Sequence, residues 1–154
     1  MHTTHLRRFG LSAILSLVLG LLLLAPPAHA DSPALSVSAS ASSVLPGDSV
    51  TLTLTFTNVH DTPVQFIYQS VQPTWATTQV PGLNFTLSSN TVGYTAPVAP
   101  GGSTTVTLSY QVAADSSCGV RIDLYTYLYY EYASGSLTES TLQDLPGANV
   151  ICAA

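Results

Sequence analysis

The 154-residue chain has no lysine and only three arginines, Arg7, Arg8 and Arg121, against eight acids and four histidines. All eight acids and Arg121 lie beyond residue 30, so residues 31–154 carry 1 − 8 = −7 charges. Phosphate backbones are bound chiefly by Lys and Arg, which excludes nucleic acid and anionic lipid as expected partners. With 7% charged residues and 46% hydrophobic ones, the composition does not fit charge-driven disorder. Solubility has to come from Ser, Thr, Asn and Gln.

The apolar run near the N-terminus, about Leu11 to Ala25, is shorter than the roughly 20 residues of a membrane-spanning helix and ends in Pro26-Pro27. It follows the basic pair Arg7-Arg8 and precedes Ala28-His29-Ala30, the small-x-small pattern of a leader cleavage site. Residues 1–30 are therefore expected to be a signal peptide and residues 31–154 a single domain, with a secreted or cell-surface location and no membrane span after cleavage. No cysteine near the cut offers a lipid anchor, and Phe9 with the leucine-rich run fits the general secretory route better than the twin-arginine one. Leu145-Pro146-Gly147-Ala148 lacks the ending, apolar tail and basic residues of a sortase signal.

Cysteine is nearly absent too. Cys118 and Cys152 are the two there are, and in an exported chain such a pair is expected to close as a disulfide. They have neither the CxxC spacing nor the basic neighbours of a reactive pair.

After residue 30 no stretch keeps a helical period; the period is two. In Ser49 to Asn58, Val50, Leu52, Leu54 and Phe56 alternate with threonines; Leu35, Val37 and Ala39 alternate before them, and Val106, Leu108, Tyr110 and Val112 alternate later. Val64 to Val71, Leu83 to Leu87, Thr91 to Thr95, Leu137 to Leu142 and Val150 to Cys152 read as further strands, and Gln72 to Gly82, with its prolines, as a long connection or irregular edge. Pro46-Gly47 and Pro100-Gly101 mark turns. Such a pattern predicts an all-β, immunoglobulin-like antiparallel β-sandwich of about seven to nine strands. Trp75 precedes both cysteines, so the Cys-Trp-Cys order of antibody domains is missing.

Pro46-Gly-Asp-Ser-Val-Thr-Leu-Thr-Leu-Thr-Phe-Thr-Asn58, followed by Val98-Ala-Pro-Gly-Gly-Ser-Thr-Thr-Val-Thr-Leu-Ser-Tyr110, resembles the immunoglobulin-like conserved repeats of bacterial surface proteins, the "domain of unknown function eleven" group and relatives of the bacterial cell-adhesion domain. The similarity covers about residues 34–112. The chain departs from the family pattern after Asn58 and holds one copy where the family is commonly tandem. The resemblance implies a surface or extracellular module and carries no catalytic residues.

Chemistry is sparse. His60 is the one histidine after residue 30, in a His-Asp-Thr-Pro turn, and no G-x-S-x-G elbow or calcium loop occurs. No catalytic, cofactor or metal site is expected. The alternative is a secreted copper-binding β-sandwich protein or small exported enzyme using His60, the copper version needing His29 freed by cleavage after Ala28. The most suggestive stretch is Val120 to Tyr132. Its period places Val120, Ile122, Leu124, Thr126, Leu128, Tyr130 and Tyr132 in the core, and Arg121, Asp123, Tyr125, Tyr127, Tyr129 and Glu131 outside. Tyr125, Tyr127 and Tyr129, with Trp75, are the candidate binding surface for a cell-surface protein, a glycan or another copy. The structural reading, which has the greater weight, is that the rings only cover neighbouring strands or a second small core.

Overall fold

The computed structural model describes residues 34–133 and 138–153. The expected signal peptide, residues 134–136 and Leu137, the start of one expected strand, lie outside them. The described elements are β1 (Leu35–Ala39), β2 (Ser43–Val44), β3 (Ser49–Thr57), β4 (Val64–Pro73), a one-turn helix α1 (Trp75–Thr78), β5 (Phe85–Leu87), β6 (Thr91–Gly93), β7 (Ser103–Val112), β8 (Val120–Ile122), β9 (Leu124–Tyr132), β10 (Thr138–Asp144) and β11 (Ala148–Val150).

Alternation decides the layers. Val50, Leu52, Leu54 and Phe56 of β3 are fully buried, and with Leu108, Tyr110 and Val112 of β7 they line the inner side of a sheet ordered β1-β3-β7-β5. Ile67 and Val71 of β4 and Leu124, Leu128, Tyr130 and Tyr132 of β9 line the inner side of a second sheet, β10-β9-β4-β6. A third sheet, β2-β11-β8, pairs β11 antiparallel with β8 and parallel with β2. In strand order β1-β3-β7-β5 corresponds to the A-B-E-D sheet of an immunoglobulin domain and β10-β9-β4 to G-F-C, so the fold is an immunoglobulin-like β-sandwich. The two similar segments, Pro46 to Asn58 and Val98 to Tyr110, become β3 and β7, which pair with each other from Ser49↔Gln111 to Thr57↔Ser103. Their likeness is that of adjacent strands in one sheet, each led in by a Pro-Gly turn whose glycine takes a positive φ, 97° at Gly47 and 70° at Gly101.

The described residues form eleven strands where seven to nine were expected, because the two-residue β2 adds one and one long strand is interrupted. The stretch Val120 to Tyr132, read as one alternating run, parts at Asp123 into β8 and β9. There the buried Thr77 hydroxyl accepts from the Asp123 N–H (2.9 Å) and donates to the Asp123 carbonyl (3.0 Å). The Thr74 N–H reaches the same carbonyl at 2.9 Å. Thr77 is held in α1, which Thr74 caps by accepting from the Thr77 N–H; part of the expected connection is therefore a helical turn that plugs the gap. In the connection between β10 and β11, Gly147 fits against this break, because a Cβ there would lie 2.5 Å from the Ile122 carbonyl oxygen. Leu145, Gly147 and Ala148 are buried, so this stretch is a folded bend between β10 and β11.

Polar groups in the core are satisfied by one another, as burial requires. Gln69, fully buried, donates to Thr126 Oγ1 (2.7 Å) and accepts from the Tyr94 hydroxyl, while Thr126 donates to the Ser70 carbonyl (2.8 Å). Asn58 ends β3 by donating to the carbonyls of Thr62 (2.9 Å) and Val98 (3.1 Å) and accepting the His60 N–H (3.1 Å). Cys118 and Cys152 form the expected disulfide, 34 residues apart, with Cα atoms 5.1 Å apart beside the ends of β8 and β11.

The Tyr110 hydroxyl is the exception: it is buried and has no hydrogen-bond partner. Burial pushes its pKa from the ordinary 10.0 up to about 12. Between those two values the unfolded chain gives up a proton that the folded chain keeps, so unfolding free energy falls as pH rises across that window and is unaffected by this group below it. Tyr110→Phe is expected to leave stability at neutral pH unchanged or raise it by up to about 1 kcal/mol, and to flatten the alkaline loss. Urea unfolding at neutral pH and at pH values between 10.0 and about 12 measures both; a neutral-pH loss above about 1 kcal/mol would mean that the hydroxyl is bonded after all.

Candidate functional site

The outward positions of β9 and its neighbours converge on one surface. The alternation holds as expected through β8 and β9: Ile122, Leu124, Thr126, Leu128, Tyr130 and Tyr132 are buried, Val120 at the start is only half-buried, and Tyr125, Tyr127, Tyr129 and Glu131 are half-buried on the outer side. They are half-buried because β9 is an interior strand, with β10 on one side and β4 on the other. It is not an open edge, so the row is a sheet face.

Across from this row β4 supplies Phe66, Tyr68, Ser70 and Gln72. The register shift between Val64 and Phe66 is a bulge, which leaves Gln65 and Phe66 both exposed between the buried Val64 and Ile67. It turns Phe66 (46% exposed) and Tyr68 (40% exposed) to the same face as the tyrosines. From the other side Leu142 of β10, 69% exposed, stands opposite Tyr127, Ser140 opposite Tyr129, and Asp144 opposite Tyr125. Phe66, Tyr68 and Leu142 were not among the expected contacts. The bulge hid the first two from a strict period of two, and the third was one leucine in an otherwise polar strand.

Diagonal ring pairs lock the surface together. Phe66 and Tyr129 have centroids 6.2 Å apart at 66°, and Tyr68 and Tyr127 are 6.5 Å apart at 58°. The Tyr129 hydroxyl donates to Glu131 Oε1 at 2.7 Å, and that bond to a carboxylate raises the phenol's pKa. The Tyr125 hydroxyl donates to Gln72 Oε1 at 3.2 Å. The tyrosines are thus both cross-strand braces and exposed surface. In both pairs the ring of β4 is inclined to that of β9.

Trp75 is elsewhere. It opens α1, just past the end of β4 where Pro73 pairs with Leu124, and is 78% exposed. Among the described residues no ring pair joins it to the tyrosines. His60 lies in the exposed turn after β3, its ring centroid 5.0 Å from that of Tyr132 in an edge-on contact. Among the described residues no three of His, Cys, Asp and Glu gather closely enough to hold a metal ion, and His29 lies outside them. A cleft between β6 and the edge of β7 is lined by Ser88, Ser89, Thr91, Gly93 and Thr105 to Leu108; its hydroxyls have no base among these residues. Among the described residues no helix is long and apolar enough to cross a membrane.

An immunoglobulin-like β-sandwich with a disulfide at one end and an aromatic outer sheet face is the class of protein that this geometry defines. No protein-family model matches the chain, and no match was found among curated proteins.

Proposed function

We propose that the chain is an exported, non-enzymatic immunoglobulin-like module that acts at or outside the cell surface by binding through the outer face of its β10-β9-β4-β6 sheet. One observation carries this reading: Phe66, Tyr68, Tyr125, Tyr127, Tyr129 and Leu142 gather on a single face, with Phe66, Tyr68 and Leu142 substantially exposed. Scattered single apolar side chains are ordinary on protein surfaces, whereas a contiguous set marks a contact, and tyrosine supplies large contact area at low entropic cost. The disulfide and the leader-like residues 1–30 support an oxidising destination. The resemblance to bacterial surface repeats supports the same location.

The test has two parts. Protein recovered from the medium of a secreting culture is expected to begin at Asp31. Fluorescently labelled protein is expected to bind back to the surface of the producing cells, and Y125S/Y127S/Y129S to reduce that binding about tenfold or more while the circular dichroism stays that of a β-protein. Retention in the cytosol, or equal binding by the variant, would overturn the reading.

A further inference from the structure

Resting on the reading of this face as the contact surface, we propose that its partner is a protein segment bearing arginine or lysine, with the cationic side chains seated against the tyrosine rings between Glu131 and Asp144. The charge balance comes first. Residues 31–154 hold eight acids against Arg121, and Arg121 is engaged with Asp123, Nε to Oδ1, at 2.7 Å. The face therefore presents no cation with which to meet an anionic polymer.

What it does present is π surface bounded by carboxylates. Glu131 stands beyond Tyr129 at one end of the row, tied to its hydroxyl, and Asp144 stands opposite Tyr125 at the other. Six residues of strand separate position 125 from 131, roughly 20 Å, so an extended segment could reach both acids and cross all three rings. Arg and Lys are attracted to aromatic faces, Arg the more often because its guanidinium also stacks.

The two other occupants fit less well. A sugar chain stacks best on rings lying in one plane, and Phe66 with Tyr129 and Tyr68 with Tyr127 are inclined at 66° and 58°. A second copy would bring −7 to −7 and set the same carboxylates near each other, which opposes a face-to-face dimer.

The experiment uses protein purified from the medium and follows backbone and tyrosine NMR signals during titration with a short peptide alternating arginine and threonine. The control peptide carries citrulline in place of arginine, and a soluble neutral β-glucan oligosaccharide is titrated separately. The arginine peptide is expected to shift the signals of Phe66, Tyr68, Tyr125, Tyr127, Tyr129 and Leu142, and to bind about tenfold or more weakly at high salt. Y127S and E131Q/D144N are each expected to weaken it about tenfold with the circular dichroism still that of the folded β-protein. Equal binding of the citrulline peptide, or insensitivity to Y127S, would overturn the inference. Binding of the β-glucan at these residues in place of the arginine peptide, or a concentration-dependent dimer abolished by Y127S, would overturn it while leaving the face as a contact surface. Failure of every probe, together with undiminished cell binding by Y125S/Y127S/Y129S, would remove both.

Discussion

Replacing Cys118 and Cys152 together by alanine is expected to lower the unfolding free energy by about 3 to 4 kcal/mol, with little change in the urea m-value from the native side. The bond closes a loop spanning 34 positions, and in the chain-entropy account the reduced chain recovers the freedom which that closure removes. Its placement adds to the effect. β8 and β11 are three residues each, and β2, which pairs with β11, is two; such short strands offer few ladder bonds of their own. A loss this large is a substantial part of a small domain's total stability. Urea unfolding of the double variant beside the oxidised protein measures it, and a difference below about 1 kcal/mol would show that the three-stranded sheet stands without the bond.

Phe56→Ala is expected to cost about 3 to 5 kcal/mol. Phe56 is fully buried on β3, and its ring meets Tyr130 of the opposite sheet at 5.1 Å and Tyr94 at 6.2 Å. It therefore bridges the two layers, and truncating it leaves a cavity that two sheets held apart by their other side chains cannot close. The neighbouring Thr55 sits on the outer side, its hydroxyl 2.9 Å from that of Thr105 in an exposed ladder. Thr55→Ala is expected to cost no more than about 1 kcal/mol. Equal losses at the two positions, measured by denaturant unfolding, would contradict the alternation on which the layer assignment rests.

That alternation is why so much of the fold was legible. β1, β3 and β7 could be bounded within a residue or two because apolar and hydroxyl side chains alternate cleanly and Pro-Gly turns stand before the two longer strands. The inner and outer sets of β9 follow for the same reason. Where tertiary contacts override the local pattern, the sequence is silent. The division at Asp123 depends on the Thr77 hydroxyl, 46 residues away. Thr74 as a helix cap was visible in principle, but the prolines on either side of α1 favour an irregular reading. The bulge after Val64 leaves no signature in residue type, so Phe66 and Tyr68 could not be assigned to the tyrosine face by counting. The tilt of the rings depends on diagonal partners in another strand, and one strand's sequence does not contain it.

If the aromatic sheet face is where this protein meets its partner, the face must be covered when the protein is in place. Tyrosine-directed chemical labelling, read by mass spectrometry on purified protein and on protein bound to producing cells, tests this most directly. Modification of Tyr68, Tyr125 and Tyr127 is expected in the purified protein and to fall several-fold on the cell surface, with Trp75 oxidation unchanged as an internal reference. Labelling of the three tyrosines to the same extent in both settings would contradict the account.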